Sequence, residues 1–282
     1  MNGPLPDFVG IGALKAGTTY LDQLLRGHPQ LSFPRHLKET EFFTRHYRRG
    51  PEWYAGLFAP PDGRLRGEIS PQYLPDPTCA ERLYAANPEA LLIATLRDPV
   101  ARLVSQYRHF AQVTGYPGDL RTFLVEHPGA IDRGRYHAQL QPWLARFGRD
   151  RLHLVIFDDL VDSPLATARS VLAFLGVDDS VVPSPPDAET YSSFSPRFPR
   201  AYVRARRVSA ALRGSATGRA VVGLAQRAGL RGLLSTPAAQ AREGELSAGE
   251  RAELATGYRA DAARLGELLD RDLVRLWGLE AT

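Results

Sequence analysis

Three stretches of this chain carry residue types that can handle an anion and a proton. The first, "GIGALKAGTT", sets Gly12 and Gly17 five positions apart, with Lys15 between them and Thr18 and Thr19 behind. A glycine-rich loop that joins a strand to a helix turns backbone N–H groups toward an anion, and the glycines let the anion come close. In a nucleotide P-loop, G-x-x-x-x-G-K-[ST], the lysine directly follows the second glycine. Here Thr18 takes that slot and the lysine sits inside the loop. A lysine so placed faces a group at the loop mouth, which suits a donor with one 5′ anionic group and a short bridge to its leaving part. The second stretch, "KETEFF", sets Glu39 beside Lys38. A carboxylate kept ionised by a neighbouring cation can accept a proton. The third, "TLRDPVARLVSQY", puts Arg97 at the end of an apolar run and Ser105 about two helical turns further on. At roughly 1.5 Å rise per residue, both lie within reach of one anion.

Such residues need elements that hold them. The apolar run Phe8, Val9, Ile11 reads as a strand and the loop follows it; Thr18 or Thr19 caps the next helix, whose inner face is Tyr20, Leu21, Leu24 and Leu25, and Gly27 with Pro29 stops it. A polar, aromatic-rich connection spans Ser32 to Pro61, "RLRGEIS" reads as a short strand, and a helix is expected over Thr78 to Ala86. "EALLIATL" is an unbroken apolar run, as in a parallel strand buried on both faces. Asp98 caps the next helix and Pro99 opens it, with Val100, Leu103, Val104, Tyr107 and Phe110 inward. A helix over Arg135 to Phe147, kinked at Pro142, precedes the strand "RLHLVIF". Ser163 and Pro164 open a helix with Leu165, Ala168, Leu172 and Leu175 inward and Gly176 at its end. Strand and helix in alternation imply right-handed crossovers and a mainly parallel sheet flanked by helices, an α/β fold of P-loop type. The expected organisation is one domain over 1–282, with a core about 7–180 and a helical C-terminal part about 200–280, where Ser247 and Glu250 form a capping box ahead of Leu254, Tyr258, Leu265, Leu269, Leu273 and Trp277.

The composition narrows the function. No stretch of 282 residues is apolar for long enough to span a membrane, and no basic region followed by an apolar one marks the N-terminus for secretion. The single cysteine, Cys79, excludes an intrachain disulfide framework and favours a reducing compartment, the cytoplasm. Net charge is only +4, yet Tyr191 to Arg242 holds ten arginines and no Asp, Glu or Lys. Such a segment suits phosphates, sulfates, anionic sugars or nucleic acid, or simply forms solvated helix faces. His36, His46, His109 and His137 lack metal-ligand spacing.

"GALKAGTTYLDQLL", "KETEFF" and "LRDPVARLVSQY" together resemble the sulfotransferases that use 3′-phosphoadenosine 5′-phosphosulfate (PAPS), nearest to the carbohydrate branch that includes heparan sulfate sulfotransferases and bacterial relatives. The resemblance runs from about Asp7 to Gly176, with a weaker echo in the C-terminal helices. It implies that Lys15, Ala16, Gly17, Thr18 and Thr19 bind the 5′-phosphosulfate and that Arg97 and Ser105 bind the 3′-phosphate. It implies that the catalytic glutamate, three residues before a Phe-Phe pair, is Glu39 ahead of Phe42-Phe43. "RRGPEWYAGLF" and "GEISPQYL" are also similar to family segments, although Ile69 stands where a lysine often follows the glutamate. The cysteine loop of some animal members is absent; "YSSFSPRF" takes its place, where Arg197 or Arg200 would complete the 3′-phosphate site.

The implied reaction moves a sulfuryl group from PAPS to a hydroxyl of a carbohydrate or small-molecule acceptor, without a metal, leaving adenosine 3′,5′-bisphosphate. Lys15 and the loop amides would neutralise the leaving phosphate and Glu39 would take the acceptor's proton. Glu68 stands as a structural ion pair or a substrate contact. Two rivals remain open. A P-loop kinase or ATPase is favoured by Asp158 behind "LHLVIF" as a magnesium ligand and opposed by Thr18 in the lysine slot. A nucleic-acid-binding module would use the arginine-rich segment, but aromatics there are few and no recognition motif accompanies it.

Overall fold

The strand β1, Phe8–Gly12, is buried along its whole length, because it lies between two neighbours in the middle of a sheet. The structure is a computed structural model and describes residues 6–59, 62–182, 195–196, 235–236 and 246–280. Five strands, β1 with β2 (Leu31–Ser32), β3 (Leu65–Ile69), β4 (Leu91–Leu96) and β5 (Leu152–Ile156), form a sheet in the order β2-β3-β1-β4-β5. Every neighbouring pair in it is parallel. The register sets Phe8 opposite Gly67 on one side and Leu91 on the other. A Cβ at position 67 would lie 2.1 Å from the Phe8 ring, so the glycine is what lets that ring pack.

Helices cover the sheet. On α1 (Thr18–Arg26), Leu21, Leu24 and Leu25 join Phe8, Ile69, Ile93 and Val155, together with Ala168, Val171 and Leu172 of α9 (Pro164–Phe174), in one core cluster. Helix α3 (Pro77–Ala86) packs on α7 (Tyr136–Phe147), and α7 packs on the long C-terminal helix Ala248–Leu269. That last contact also caps α7: the amides of His137 and Ala138 donate to the Asp261 carboxylate at 2.9 and 3.0 Å. Cys79 is buried on α3, with its thiol pushed up by burial first.

By its contacts the chain divides into two units. The larger comprises Met1–Leu103, Gly129–Pro186 and Ala248–Thr282 and holds the five-stranded sheet. The smaller takes Val104–Pro128 and Asp187–Ser247. Its described helical part is the rest of α4 (Pro99–Thr114) and α5 (Leu120–Glu126), with Tyr107, Phe110, Tyr116, Phe123 and His127 packed edge-on or tilted against one another at centroid separations of 4.8 to 6.3 Å. Two further two-residue strands, β6 (Ser195–Pro196) and β7 (Ser235–Thr236), pair antiparallel. Apart from these four residues, the arginine-rich segment, with Arg197 and Arg200, lies outside the described residues.

Several sequence expectations change. The cap of α1 is Gly17, in the left-handed region at φ 88°, and neither threonine caps it through a side chain. A Cβ at Gly17 would meet Phe157 and Leu160 at 2.9 to 3.0 Å, so close packing as well as φ requires glycine. Leu165 is exposed, because Thr167, Ala168, Val171 and Leu172 form the inner face of α9. The connection from Ser32 to Pro61 contains a π-helical turn over Phe42–His46, a 3-10 turn over Tyr47–Arg49 and α2 (Gly50–Ala55). Beyond the expected helices, α6 (Gly129–Asp132) follows α5, and α8 (Phe157–Asp162) follows β5 directly.

Candidate active site

β1 is the strand at which the sheet order reverses: later strands lie on both its sides. In an open parallel sheet, the crevice beyond the carboxyl ends of such strands is where ligands bind. The loop 12–17 leaves β1 there. It is tied to β4 by Ala13 N–H to the Thr95 carbonyl (2.7 Å) and by the Thr95 hydroxyl to the Gly12 carbonyl (3.2 Å). Lys15 takes a positive φ of 68° within it. The first α1 bond runs from Leu21 N–H to Gly17 O, so the amides of Gly17, Thr18 and Thr19 precede the intrahelical ladder, as an anion site at a helix N-terminus requires. Thr18 is buried and Thr19 exposed; Ala16 is buried beneath the loop.

Arg97 leaves the end of β4 and turns onto this loop. Its Nη1 donates to the Lys15 carbonyl at 3.3 Å, and its guanidinium lies 4.4 Å from the Phe157 ring centroid, within cation–π range. Asp98 behind it caps α4, accepting from Val100 N–H at 2.9 Å, and its other oxygen pairs with Arg251 at 2.9 Å. Ser105 is half-buried on α4 and belongs to the smaller unit.

Lys38 and Glu39 come from the other side, on the segment after β2. They pair at 2.8 Å, and the Glu39 side chain keeps a third of its surface exposed. The Lys15 ammonium is held below the ordinary lysine range, by burial first and then by the positive charges of Arg97 and Lys38, while Glu39 acts in the opposite direction. Arg97, Lys38 and Glu39 thus all act electrostatically on Lys15: with it they make three cations and one carboxylate, a surplus of positive charge that fits a polyanionic group.

Among the described residues Glu68 forms no ion pair, and its burial keeps it from being an accessible substrate contact. It is 0% exposed on β3. Its Oε2 accepts from the hydroxyls of Thr40 (2.6 Å) and Ser70 (2.7 Å), and its Oε1 from those of Tyr73 (2.9 Å) and Tyr54 (3.0 Å). Burial pushes its pKa up, and the four hydroxyl bonds oppose that shift. The carboxylate thereby fastens Thr40, next in chain to Glu39, to the sheet. Ser70 Oγ also accepts from Glu41 N–H at 3.2 Å, so both residues after Glu39 are anchored to β3 and the turn behind it. Glu41 itself sits at φ 47° and pairs with Arg45 at 3.4 Å. Phe42 and Phe43 are buried against Tyr54 and Tyr73. The sequence marked Glu39 and Lys15; it gave no sign of the hydroxyl cage, whose members stand far apart along the chain.

Asp158, at the end of β5, lies in the first turn of α8, and its Oδ2 is buried without a hydrogen bond among the described residues. Among those residues no group of three or more His, Cys, Asp and Glu side chains is arranged to hold a metal ion, and no helix is long and apolar enough to cross a membrane.

The fold is a P-loop-type α/β architecture, with Lys15 in the loop after β1 and a partly exposed Glu39 that acts on it electrostatically. Residues 70–180 match the family model described as "Sulfotransferase family". The chain is 32% identical over 183 residues to heparan sulfate glucosamine 3-O-sulfotransferase 3A1 of Mus musculus, covering 61% of this chain and 46% of that protein. It is 43% identical over 111 residues to the membrane-associated sulfotransferase kil1 of Dictyostelium discoideum, covering 38% of this chain and 23% of that one. The chain therefore spans half or less of the length of these curated relatives. A sulfotransferase of Alicyclobacillus acidocaldarius matches the fold from end to end, with a TM-score of 0.71, 25% identity, and 98% and 99% of the two chains covered. The chain is thus similar to sulfotransferases in sequence over the matched residues and in fold.

Proposed function

We propose that this protein transfers a sulfuryl group from PAPS to a hydroxyl of a carbohydrate or small-molecule acceptor. The observation that carries the reading is that Arg97, at the end of β4, donates to the Lys15 carbonyl in the loop after β1, while the paired Lys38 and Glu39 act electrostatically on the same lysine. The fit to the donor rests on charge: a partly buried lysine beside two further cations, at the head of a helix, is complete only with an anion present. PAPS, when bound, supplies an activated sulfuryl group on a good leaving phosphate. The remaining work falls to the chain. Glu39 accepts the acceptor's hydroxyl proton as the new O–S bond forms. Lys15 and the loop amides receive the charge that builds on the phosphate oxygen as the old S–O bond breaks. Arg97 grips a second anionic group of the donor. The kinship to a heparan sulfate sulfotransferase favours a carbohydrate acceptor.

The test pairs two measurements on Glu39→Gln and its neighbour Glu41→Gln: turnover with labelled PAPS against an acceptor panel, and calorimetric affinity for adenosine 3′,5′-bisphosphate. Turnover lost on Glu39→Gln alone, with affinity kept, supports the reading. The kinase reading retains one supporting feature, the unsatisfied Asp158 oxygen behind β5. Binding of ATP with magnesium, but not of adenosine 3′,5′-bisphosphate without it, would select that reading instead.

A further inference from the structure

The segment before Glu39 is held by a side chain that the sulfuryl-transfer chemistry does not use. Arg26, the last residue of α1, donates Nε–H to Asp22 Oδ2 at 2.7 Å, one turn back on the same helix. Its Nη1 donates to the carbonyl of Pro34 at 3.0 Å and its Nη2 to that of Leu37 at 3.3 Å. Its guanidinium also lies 4.8 Å from the Phe33 ring centroid. One cation therefore ties the chain at 33, 34 and 37 to α1, the helix whose opposite end begins at the anion loop. Lys38 and Glu39 come next.

Asp22 fixes the cation. It is 3% exposed, and its other oxygen, Oδ1, accepts no hydrogen bond among the described residues. Among the described residues its carboxylate pairs with Arg26. Burial pushes its pKa up, and among the lesser influences Lys38 and Glu39 both act on it, so the pair lies within electrostatic reach of the dipeptide it would hold. On the far side, Glu68 holds Thr40. Lys38 and Glu39 are thus suspended between two polar anchors, one on α1 and one on β3.

We propose that Asp22 and Arg26 form a latch that sets the distance of Glu39 from the Lys15 loop, making Arg26 a positioning residue for proton acceptance. This rests on the reading of Glu39 as the base. An arginine holding two carbonyls, a carboxylate and a ring face defines a position as a single contact cannot. Misplacement of a catalytic group by about 1 Å can cost on the order of a hundred-fold in rate.

The test uses the full chain with Arg26→Ala, Arg26→Lys, and Arg26→Ala combined with Asp22→Asn, which removes both charges and leaves no unpaired buried carboxylate. Three readouts are taken: turnover, affinity for adenosine 3′,5′-bisphosphate, and amide hydrogen exchange over residues 33–40. Each substitution is also made in the Glu39→Gln background. The latch predicts a fall in kcat of about ten- to a hundred-fold, nearly unchanged nucleotide affinity, partial recovery with lysine, and faster exchange confined to 33–40. It predicts almost no further loss once Glu39 is gone, because the two act as one unit. Equal losses in both backgrounds would reduce Arg26 to general stability and overturn the proposal, as would unchanged exchange over 33–40. If Glu39→Gln has no effect on turnover, the assignment of the base fails, and exchange over 33–40 alone decides whether the latch holds the segment.

Discussion

Lys15 sits between two demands. Burial and the charges of Arg97 and Lys38 hold its pKa below the ordinary lysine value; under the proposed function, a phosphosulfate would give the ammonium its partner. The sign follows. Donor binding needs the charged form, so affinity for adenosine 3′,5′-bisphosphate should fall as pH rises through the lowered Lys15 pKa, beginning below the ordinary lysine value of 10.5. Lys15→Arg, charged throughout, should flatten that fall; calorimetry across an alkaline series checks it. At neutral pH, Lys15→Ala and Arg97→Ala should each weaken binding by roughly ten-fold to a hundred-fold, the loss of one charge-assisted contact, while the protein stays folded. Unchanged affinity in both would remove the site. The turn at Gly17 behind Lys15 could be read from local spacing, whereas the role given to Glu39 came from the resemblance. Arg26 could not be read: its pairing with Asp22 at i, i+4 is visible, but its grip on the Pro34 and Leu37 carbonyls depends on how the chain returns past α1.

Among the elements, β1, β4 and β5 and the helices α1, α4 and α9 could be read from apolar patterns and from Asp98-Pro99 and Ser163-Pro164, whereas α8 could not. The misreadings have tertiary causes. Thr18 looked like a cap, yet Phe157 and Leu160 of α8 press on position 17 and select a glycine in the left-handed region. α2 escaped because its six residues carry one buried side chain, Tyr54, too few for a period to show. The Glu68 cage joins β3 to α2 and to the segments at Thr40 and Tyr73 through hydroxyl groups, and no local pattern announces that. Glu68→Gln keeps the shape but exchanges an acceptor for a donor among four buried hydroxyls. It should lower stability by about 1–3 kcal/mol, the cost of a buried polar group left unsatisfied, readable as a lower Tm. Burial raises the Glu68 pKa on folding, so the protein loses stability as pH rises from the ordinary glutamate value toward the raised one, and Glu68→Gln should lose that dependence. An unchanged Tm with an unchanged pH profile would contradict the cage as an anchor.

For the whole molecule, the sheet order β2-β3-β1-β4-β5 explains why three distant stretches meet. β1 delivers the loop, β4 delivers Arg97 at the same end, and β3 holds the segment that carries Glu39. If lysine and amides do the work on the leaving phosphate, sulfuryl transfer should survive EDTA; loss with EDTA and recovery with magnesium would move the case to the kinase reading. The central claim is that Glu39 takes the acceptor's proton beside a donor held by Lys15. The most direct measurement is single-turnover sulfuryl transfer by Glu39→Gln, with Glu41→Gln as control and nucleotide affinity measured in parallel. The account predicts that Glu39→Gln binds adenosine 3′,5′-bisphosphate almost normally and transfers about a hundred- to ten-thousand-fold more slowly, while Glu41→Gln stays near wild type. Full-rate transfer by Glu39→Gln, or its loss only in Glu41→Gln, would contradict it.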